Sequence, residues 1–247
     1  MAGSAKAQSA TPPDGATSNN SSTPWSLGLG VASSPSPYRK YDRNIWPIPL
    51  IGYEGSSFYF RGLGAGYYLL RDKNSSLTVD LGLSPNYYRP SDSNDPRMKQ
   101  LSNRKLSIMA GFSYQYRADW GVVGARVATD VSGNSKGQYA EATYGYPITT
   151  GKLTLTPRIG GSWNSQKLNN YYYGVSQREA ARSGLAYYRA DSGVTPFFSI
   201  DAGYAFTPSW SAFAQVRYTH LNNEIKDSPM VDKTGMTSYL IGVVHRF

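Results

Sequence analysis

The chain has 247 residues, no cysteine, two histidines and a formal net charge of +9, with only 17% charged residues. These counts exclude a disulfide framework and a cysteine-ligated metal site and leave little room for an imidazole cluster; no apolar run approaches the roughly 18 residues of a transmembrane helix. Lys and Arg are scattered singly rather than gathered in a stripe. That distribution argues against nucleic acid and for solvated surface charge, with anionic lipid headgroups as the next choice.

Residues 1–24 are mostly Ala, Ser, Thr, Asn, Pro and Gly, with one Lys and one Asp, without periodicity or an aromatic side chain. They read as a disordered N-terminal tail. Ala5-Lys6-Ala7 has the A-x-A shape of a signal-peptidase site, with no apolar run ahead of it. From Trp25 the pattern changes to alternation with period two, the signature of strands with two different faces. The strands predicted in this way are 25–33, 46–53, 57–70, 76–88, 104–117, 119–131, 137–148, 152–165, 195–207, 209–221 and 237–247. In 76–88, for example, Leu77, Val79, Leu81, Leu83 and Tyr87 oppose Thr78, Asp80, Ser84 and Asn86.

Three features separate a membrane barrel from a soluble sandwich. The strands run to about ten residues, the length that crosses a bilayer at a tilt of about 45°. Aromatic residues gather near strand ends, at Trp25, Trp46, Tyr67, Tyr68, Tyr87, Tyr88, Tyr116, Trp120, Trp163 and Trp210, as interfacial girdles do. Short links near Ala118-Asp119, Thr150-Gly151 and Pro208-Ser209 alternate with long polar loops over 89–103, 166–195 and 222–236. Residues 25–247 are therefore expected to form an all-β, antiparallel transmembrane β-barrel of the bacterial outer membrane. Eleven strands are predicted where single-chain bacterial barrels have an even number. Twelve is the expected count and ten the fallback. The missing strand is sought within 34–45, 89–103 or 166–194. At the C-terminus Tyr239, Ile241, Val243, His245 and Phe247 share one face. A last strand ending in Phe resembles the signal read by the barrel-assembly machinery, with His245 a departure from the usual aromatic or aliphatic residue.

If the apolar faces meet lipid, Arg61, Asp80, Lys105, Arg126, Glu141, Arg158, Asp201 and Arg217 line the lumen. They either pair across it as a polar filling or line a narrow basic passage. His220, with Glu224, Asp227 and Asp232 in the next loop, is the one candidate for a general base. It shares the lipid-facing side with Ala212, Ala214, Val216 and Tyr218, which argues against that role. Gly62, Gly64 and Gly66 are read as curvature or packing positions, not as a phosphate loop. Gly174-Val-Ser-Gln177 is not a nucleophile elbow. No catalytic residue, metal or cofactor is expected.

Four segments, in order, resemble the MipA/OmpV family of outer-membrane proteins. They are Trp46-Pro-Ile-Pro-Leu-Ile-Gly-Tyr-Glu-Gly55 with Phe60-Arg-Gly-Leu-Gly-Ala-Gly-Tyr-Tyr-Leu69, then Tyr171-Tyr-Tyr-Gly-Val175, Ala181-Arg-Ser-Gly-Leu185 and Asp227-Ser-Pro-Met-Val-Asp-Lys233. The similarity runs from about Trp25 to Phe247. The resemblance implies a non-enzymatic scaffold of the Gram-negative outer membrane. Its implied partners are a lytic transglycosylase, which cuts peptidoglycan, and a bifunctional penicillin-binding protein, which makes it. The surrounding partners are outer-membrane lipid and lipopolysaccharide. A narrow porin-like barrel for small polar or anionic solutes is the alternative. A third reading makes Tyr171, Tyr172 and Tyr173 a contact patch on a surface loop, against packing of that loop on itself.

Overall fold

The computed structural model describes residues 23–41, 44–84 and 86–247. Residues 1–22 of the expected tail lie outside the described residues. Thr23 and Pro24 already belong to the barrel end: the Thr23 N–H donates to the Phe247 carbonyl (3.1 Å), and the Pro24 carbonyl accepts from Glu54 (2.8 Å).

The strand segments are β1 (Trp25–Ser34), β2 (Asn44–Glu54), β3 (Phe58–Arg61), β4 (Gly64–Arg71), β5 (Ser75–Leu83), β6 (Ile108–Ala118) and β7 (Gly121–Asp130). They continue as β8 (Gln138–Gly145), β9 (Ile148–Thr150), β10 (Leu153–Asn164), β11 (Gly193–Ala205), β12 (Trp210–His220) and β13 (Gly235–Arg246). Each pairs antiparallel with its neighbours, and β13 returns to β1 with Leu29 opposite Val243. β8 and β9 both pair with β10. They are two stretches of one wall strand, interrupted at Tyr146-Pro147, where proline has no N–H to extend the ladder. The thirteen segments therefore make a closed barrel of 12 strands. Closure removes sheet edges, which a bilayer requires because hydrocarbon cannot hydrogen-bond a free backbone group.

The polarity of this barrel is inverted relative to a soluble one. Leu29 is 74% exposed, Ile241 60% and Ile159 58%, all on the outer face. Asp80, Thr156, Ser199 and Asp201 are buried on the opposite face of the same wall. A greasy exterior is stable only among lipid tails.

The twelfth strand does not come from any of the three segments in which it was sought. The predicted strand 57–70 is a hairpin, β3 and β4, turning at Gly62-Leu63, with Gly62 at φ 59. A left-handed residue is nearly free for glycine alone, and a two-residue link folds the chain back at once. Loops 35–43 and 84–107 hold no further wall strand among the described residues, and 165–192 carries two helices, α1 (Gln166–Tyr173) and α2 (Gln177–Ser183). The predicted strands 76–88 and 104–117 are shorter than expected: β5 stops at Leu83 and β6 begins at Ile108.

Four of the expected girdle aromatics are placed elsewhere. Trp46 and Tyr68 share the inward faces of β2 and β4 with Ile48 and Gly66. Tyr87 and Tyr88 leave the sheet for the loop layer, where both are buried. Trp25, Trp120, Trp163 and Trp210 do face outward at strand ends, and Tyr67 faces outward in the middle of β4.

The four long loops come together on one side of the barrel. Tyr38, Tyr88, Met98, Leu101, Leu168, Tyr172, Tyr173, Val175, Leu221 and Met230 form one buried cluster drawn from all of them. Isolated bridges tie Tyr38 to Val231, Tyr41 to Ser93 and Tyr88 to Arg104. The Tyr38 hydroxyl donates to the Tyr172 carbonyl (3.1 Å), and Ser228 Oγ donates to the Tyr173 carbonyl (2.6 Å). The result is a folded cap. The links on the other side, by contrast, span two to four residues, such as Asp119-Trp120.

Candidate functional site

Two regions gather the charged groups: the barrel interior and the cap. In the interior each of four carboxylates is held by arginine. Glu54 Oε2 accepts from Arg61 Nη2 (2.8 Å), while Glu54 Oε1 takes the Tyr68 hydroxyl (2.6 Å) and lies 3.3 Å from Arg71. Asp80 Oδ1 accepts from Arg126 Nη2 (2.6 Å) and Nε (3.0 Å), and its Oδ2 accepts from Ser113. Glu141 Oε2 accepts from Arg217 Nη2 (3.3 Å) and from the Tyr139 hydroxyl (2.7 Å). Asp201 Oδ2 accepts from Arg158 Nε (3.1 Å), and its Oδ1 accepts from Gln215. The Glu141–Arg217 pair joins β8 to β12 across the two intervening strands, so it bridges the lumen as a chord. The Arg217 guanidinium also sits 3.4 Å over the Phe197 ring, a cation–π contact.

Seven of the eight residues assigned to the lumen thus lie on the inward face and in ion pairs. Lys105 does not. It lies before β6, exposed, and meets the cap through its backbone: its N–H donates to the Tyr171 hydroxyl (2.9 Å) and its carbonyl accepts from Tyr172 (3.1 Å). The alternation around Leu106 and Ile108 extends a strand pattern into a segment that the cap has claimed.

The interior is two-sided. β12, β13, β1 and β2 carry an apolar stripe of Phe213, Leu240, Val244 and Leu50, with Ala32 and Ile48 packed against it. Period-two reading misses this stripe because it assigns every apolar residue to lipid. Its signal is the run Trp46-Pro-Ile-Pro-Leu-Ile51, apolar on both faces.

The cap turns on Glu179, a residue the sequence reading did not single out. Its Oε1 accepts from the Ser102 N–H (2.9 Å), and Oε2 accepts from the Ser176 N–H (3.0 Å) and Ser176 Oγ (2.8 Å). Arg104 Nη2 stands 2.9 Å from Oε1. Both side chains are buried, at 9% and 5% exposure. Burial alone would raise the Glu179 pKa. The Ser102 and Ser176 N–H groups, the Arg104 charge and the Ser176 hydroxyl outweigh it and bring the pKa down to about 2. The sequence cue was Ser176-Gln-Arg-Glu179, a capping box opening α2, and its reciprocal bonds are both formed.

Tyr172 and Tyr173 are buried in the cap, so the tyrosine run packs on its own loops rather than forming a contact patch. Burial pushes the Tyr173 hydroxyl well above its ordinary range. Tyr171 is partly buried at the edge of an outward-opening cavity of about 790 Å³, lined also by Arg178, Glu179, Tyr187 and Arg189. His220 is exposed on the outer face of β12, and His245 lies at the opposite end, packed against Trp210 and Phe247 (4.7 Å each). The described residues contain no cluster of three or more His, Asp or Glu that could hold a metal ion.

Comparison with known proteins finds relatives over most of the chain. The family model described as "MltA-interacting protein MipA" matches residues 27–247. The chain is 42% identical over 223 residues to the MltA-interacting protein of Escherichia coli K12, covering 90% of each. It is 37% identical over 222 residues to the putative outer membrane protein YiaT of the same strain, again covering 90% of each. Outer membrane protein OmpV of Vibrio cholerae is 24% identical over 222 residues, with 88% of this chain and 84% of that one covered. Among solved structures, an outer membrane channel from Pseudomonas putida F1 is similar over 94% of this chain and 99% of that one, at a TM-score of 0.48 and 11% identity. With its inverted polarity, closed 12-strand wall and a family match over residues 27–247, this chain is an outer-membrane β-barrel that belongs to the MltA-interacting protein MipA family.

Proposed function

We propose that the protein is a non-enzymatic scaffold of the outer membrane. It brings a lytic transglycosylase and a bifunctional penicillin-binding protein together for peptidoglycan turnover. The observation that carries this reading is the disposition of the polar groups. The four interior carboxylates named above are neutralised by arginine within the wall, and the long loops fold into a buried cap. That leaves the short-turn side, at 55–57, 72–74, 119–120, 151–152 and 206–209, as the surface open to periplasmic partners. The name of the 42% identical relative points to the first partner. Holding two enzymes on one platform raises the effective concentration of each for the other, with no new chemistry needed at the platform itself.

Copurification from crosslinked envelopes tests the reading. Tagged protein is expected to bring down both murein enzymes together, and recovery of neither refutes it. The alternative, a narrow porin-like barrel for small polar or anionic solutes, draws on the same arginines. Planar-bilayer recording separates the two: a scaffold with a capped lumen is silent, and a pore gives steady, anion-selective openings.

A further inference from the structure

The outward-opening cavity of the cap, about 790 Å³, has the size of a small-molecule site, for which roughly 300–1,000 Å³ is usual. Its walls come from the C-terminal end of α1, the first turn of α2, the segment 187–189 and the run 102–104 ahead of β6. These walls are fixed to one another. Val175 and Tyr188 exchange backbone hydrogen bonds (2.8 and 3.0 Å), which hold segment 187–189 beside the α1–α2 link. Arg104 Nη2 donates to the Gly174 carbonyl (3.1 Å) and to Glu179 (3.1 Å), and its Nη1 donates to the Ser102 carbonyl (3.0 Å). A frame already hydrogen-bonded in this way loses little freedom when a ligand enters.

Arg104 and Glu179 are therefore engaged with each other and with the frame. Arg178 and Arg189 are not. Both line the cavity and are exposed. Arg178 has no hydrogen bond or ion pair among the described residues, and Arg189 has one contact, at 3.5 Å, with Gln166 Oε1. Arg182 stands at the border, 2.7 Å from Ser102 Oγ. The lining and its border thus carry four arginines against the single carboxylate of Glu179. Glu224 and Asp191 are outside the lining, where the Glu224 carboxylate accepts the Asp191 N–H (2.7 Å). A surplus of guanidinium in a half-enclosed space favours an anion, and its planar fork suits a carboxylate or a phosphate.

The uncharged part of the lining narrows the occupant further. Among the described residues it holds no aliphatic side chain. It presents phenol rings at 171, 187 and 188, amides at 170 and 177, and hydroxyls at 102 and 176. Tyr187 is 56% exposed and has no ring partner among the described residues. Amides and hydroxyls both donate and accept, as the hydroxyls of a sugar require, and an open phenol face takes the apolar C–H face of a pyranose. An acyl chain finds no matching surface there. The long loops of outer-membrane barrels face outside the cell, so the occupant arrives from that side.

We infer that this cavity binds an acidic saccharide, with Arg178 and Arg189 on its carboxylate or phosphate and Tyr187 against a sugar ring. The site is independent of the scaffold reading, which uses the opposite end of the barrel.

Calorimetric titration of the refolded full chain in detergent micelles, free of lipopolysaccharide, tests the inference. The acidic probes are trigalacturonic acid and the deacylated core oligosaccharide of lipopolysaccharide; the controls are neutral galactotriose and inorganic phosphate. The tighter of the two acidic saccharides is expected to bind roughly tenfold or more better than either control. Which of them is tighter separates the sources: the core oligosaccharide assigns the membrane's own glycolipid, and trigalacturonic acid assigns a free acidic sugar. Arg178→Gln combined with Arg189→Gln is expected to weaken that binding roughly tenfold. The Ser102 and Ser176 amides should exchange as in the wild type, which shows that the cap is still folded. Should the double variant fail to fold, Arg178→Gln alone, which removes no bond of the cap, carries the test. No saturable heat with either acidic saccharide overturns the inference. So does equal affinity for phosphate or for galactotriose, or an affinity that the arginine variants leave unchanged.

Discussion

Replacing Glu179 with Gln removes the charge on which the cap converges while keeping the side chain's shape. The carboxyl lies near pKa 2 in the folded cap against 4.5 ordinarily, a drop of about 2.5 units, or about 3 kcal/mol at about 1.4 kcal/mol per unit. Loss of the charge also leaves Arg104 buried without its counter-ion, a change that costs about 3–5 kcal/mol in buried pairs. Cap opening at pH 7 should therefore rise at least about 100-fold. Hydrogen exchange in detergent micelles reads this directly. The Ser102 and Ser176 amides, which donate to Glu179, should exchange about 100-fold faster in the variant, with wall amides of β10 and β11 unchanged as the internal control. The sign with pH follows from a depressed pKa. The stabilisation is present above about pH 4.5 and is lost as pH falls towards 2. The wild-type cap should therefore approach the variant over that window, and the two should coincide at its lower end. The other cap carboxylates are common to both proteins and cancel in the comparison. Cap amides exchanging within twofold of wild type at pH 7, or a difference that persists at pH 2, would refute the assignment of Glu179 as the anchor.

Other changes bear on the wall. Asp201→Ala strips an acceptor from Arg158 and Gln215 and removes the carboxylate paired with a largely buried guanidinium, so urea unfolding of the refolded barrel should show a loss of about 3 kcal/mol. Gly62→Val has open space for its side chain but places a β-branched residue at φ 59, and should cost about 1–3 kcal/mol in the same assay. Gly66→Leu projects into the Tyr59 ring, 2.5 Å from where its Cβ would sit, and should slow or abolish refolding as followed by the heat-dependent gel shift of folded barrels. Tyr172→Phe loses the hydroxyl that donates to the Lys105 carbonyl, and proteolysis of the 84–107 loop should accelerate modestly, in line with a loss of about 1 kcal/mol.

The sequence made the wall legible because lipid outside and polar groups inside impose the same period on almost every strand. β10, β11 and β12 were readable nearly to the residue, and so was the inward placement of Asp80, Arg126, Arg158 and Asp201. The twelfth strand was hidden by its brevity. Its trace was a change of phase: Phe58 and Phe60 face outward on even numbers, and Ala65 and Tyr67 on odd ones, a flip that only a turn between them produces. Trp46 was placed at an interface by its nearness to a strand end, although its parity with Ile48 and Leu50 put it inside. The cap was illegible for a different reason. Tyr38, Tyr88, Met98, Tyr172 and Met230 meet from four separate loops, and no local period records a non-local contact. Glu179 left one local trace, its capping box, but the partnership with Arg104 lies 75 residues away.

The scaffold reading rests on which end of the barrel meets the murein enzymes. A photoreactive amino acid placed singly at Asn74, Asp119, Gly151 or Ser209 on the short-turn side, and at Asn94, Arg178 or Asp232 in the loop layer, measures this in living cells. The account predicts adducts with a lytic transglycosylase and a penicillin-binding protein from short-turn positions and none from the cap. Adducts from the cap alone, or from neither side, would contradict it.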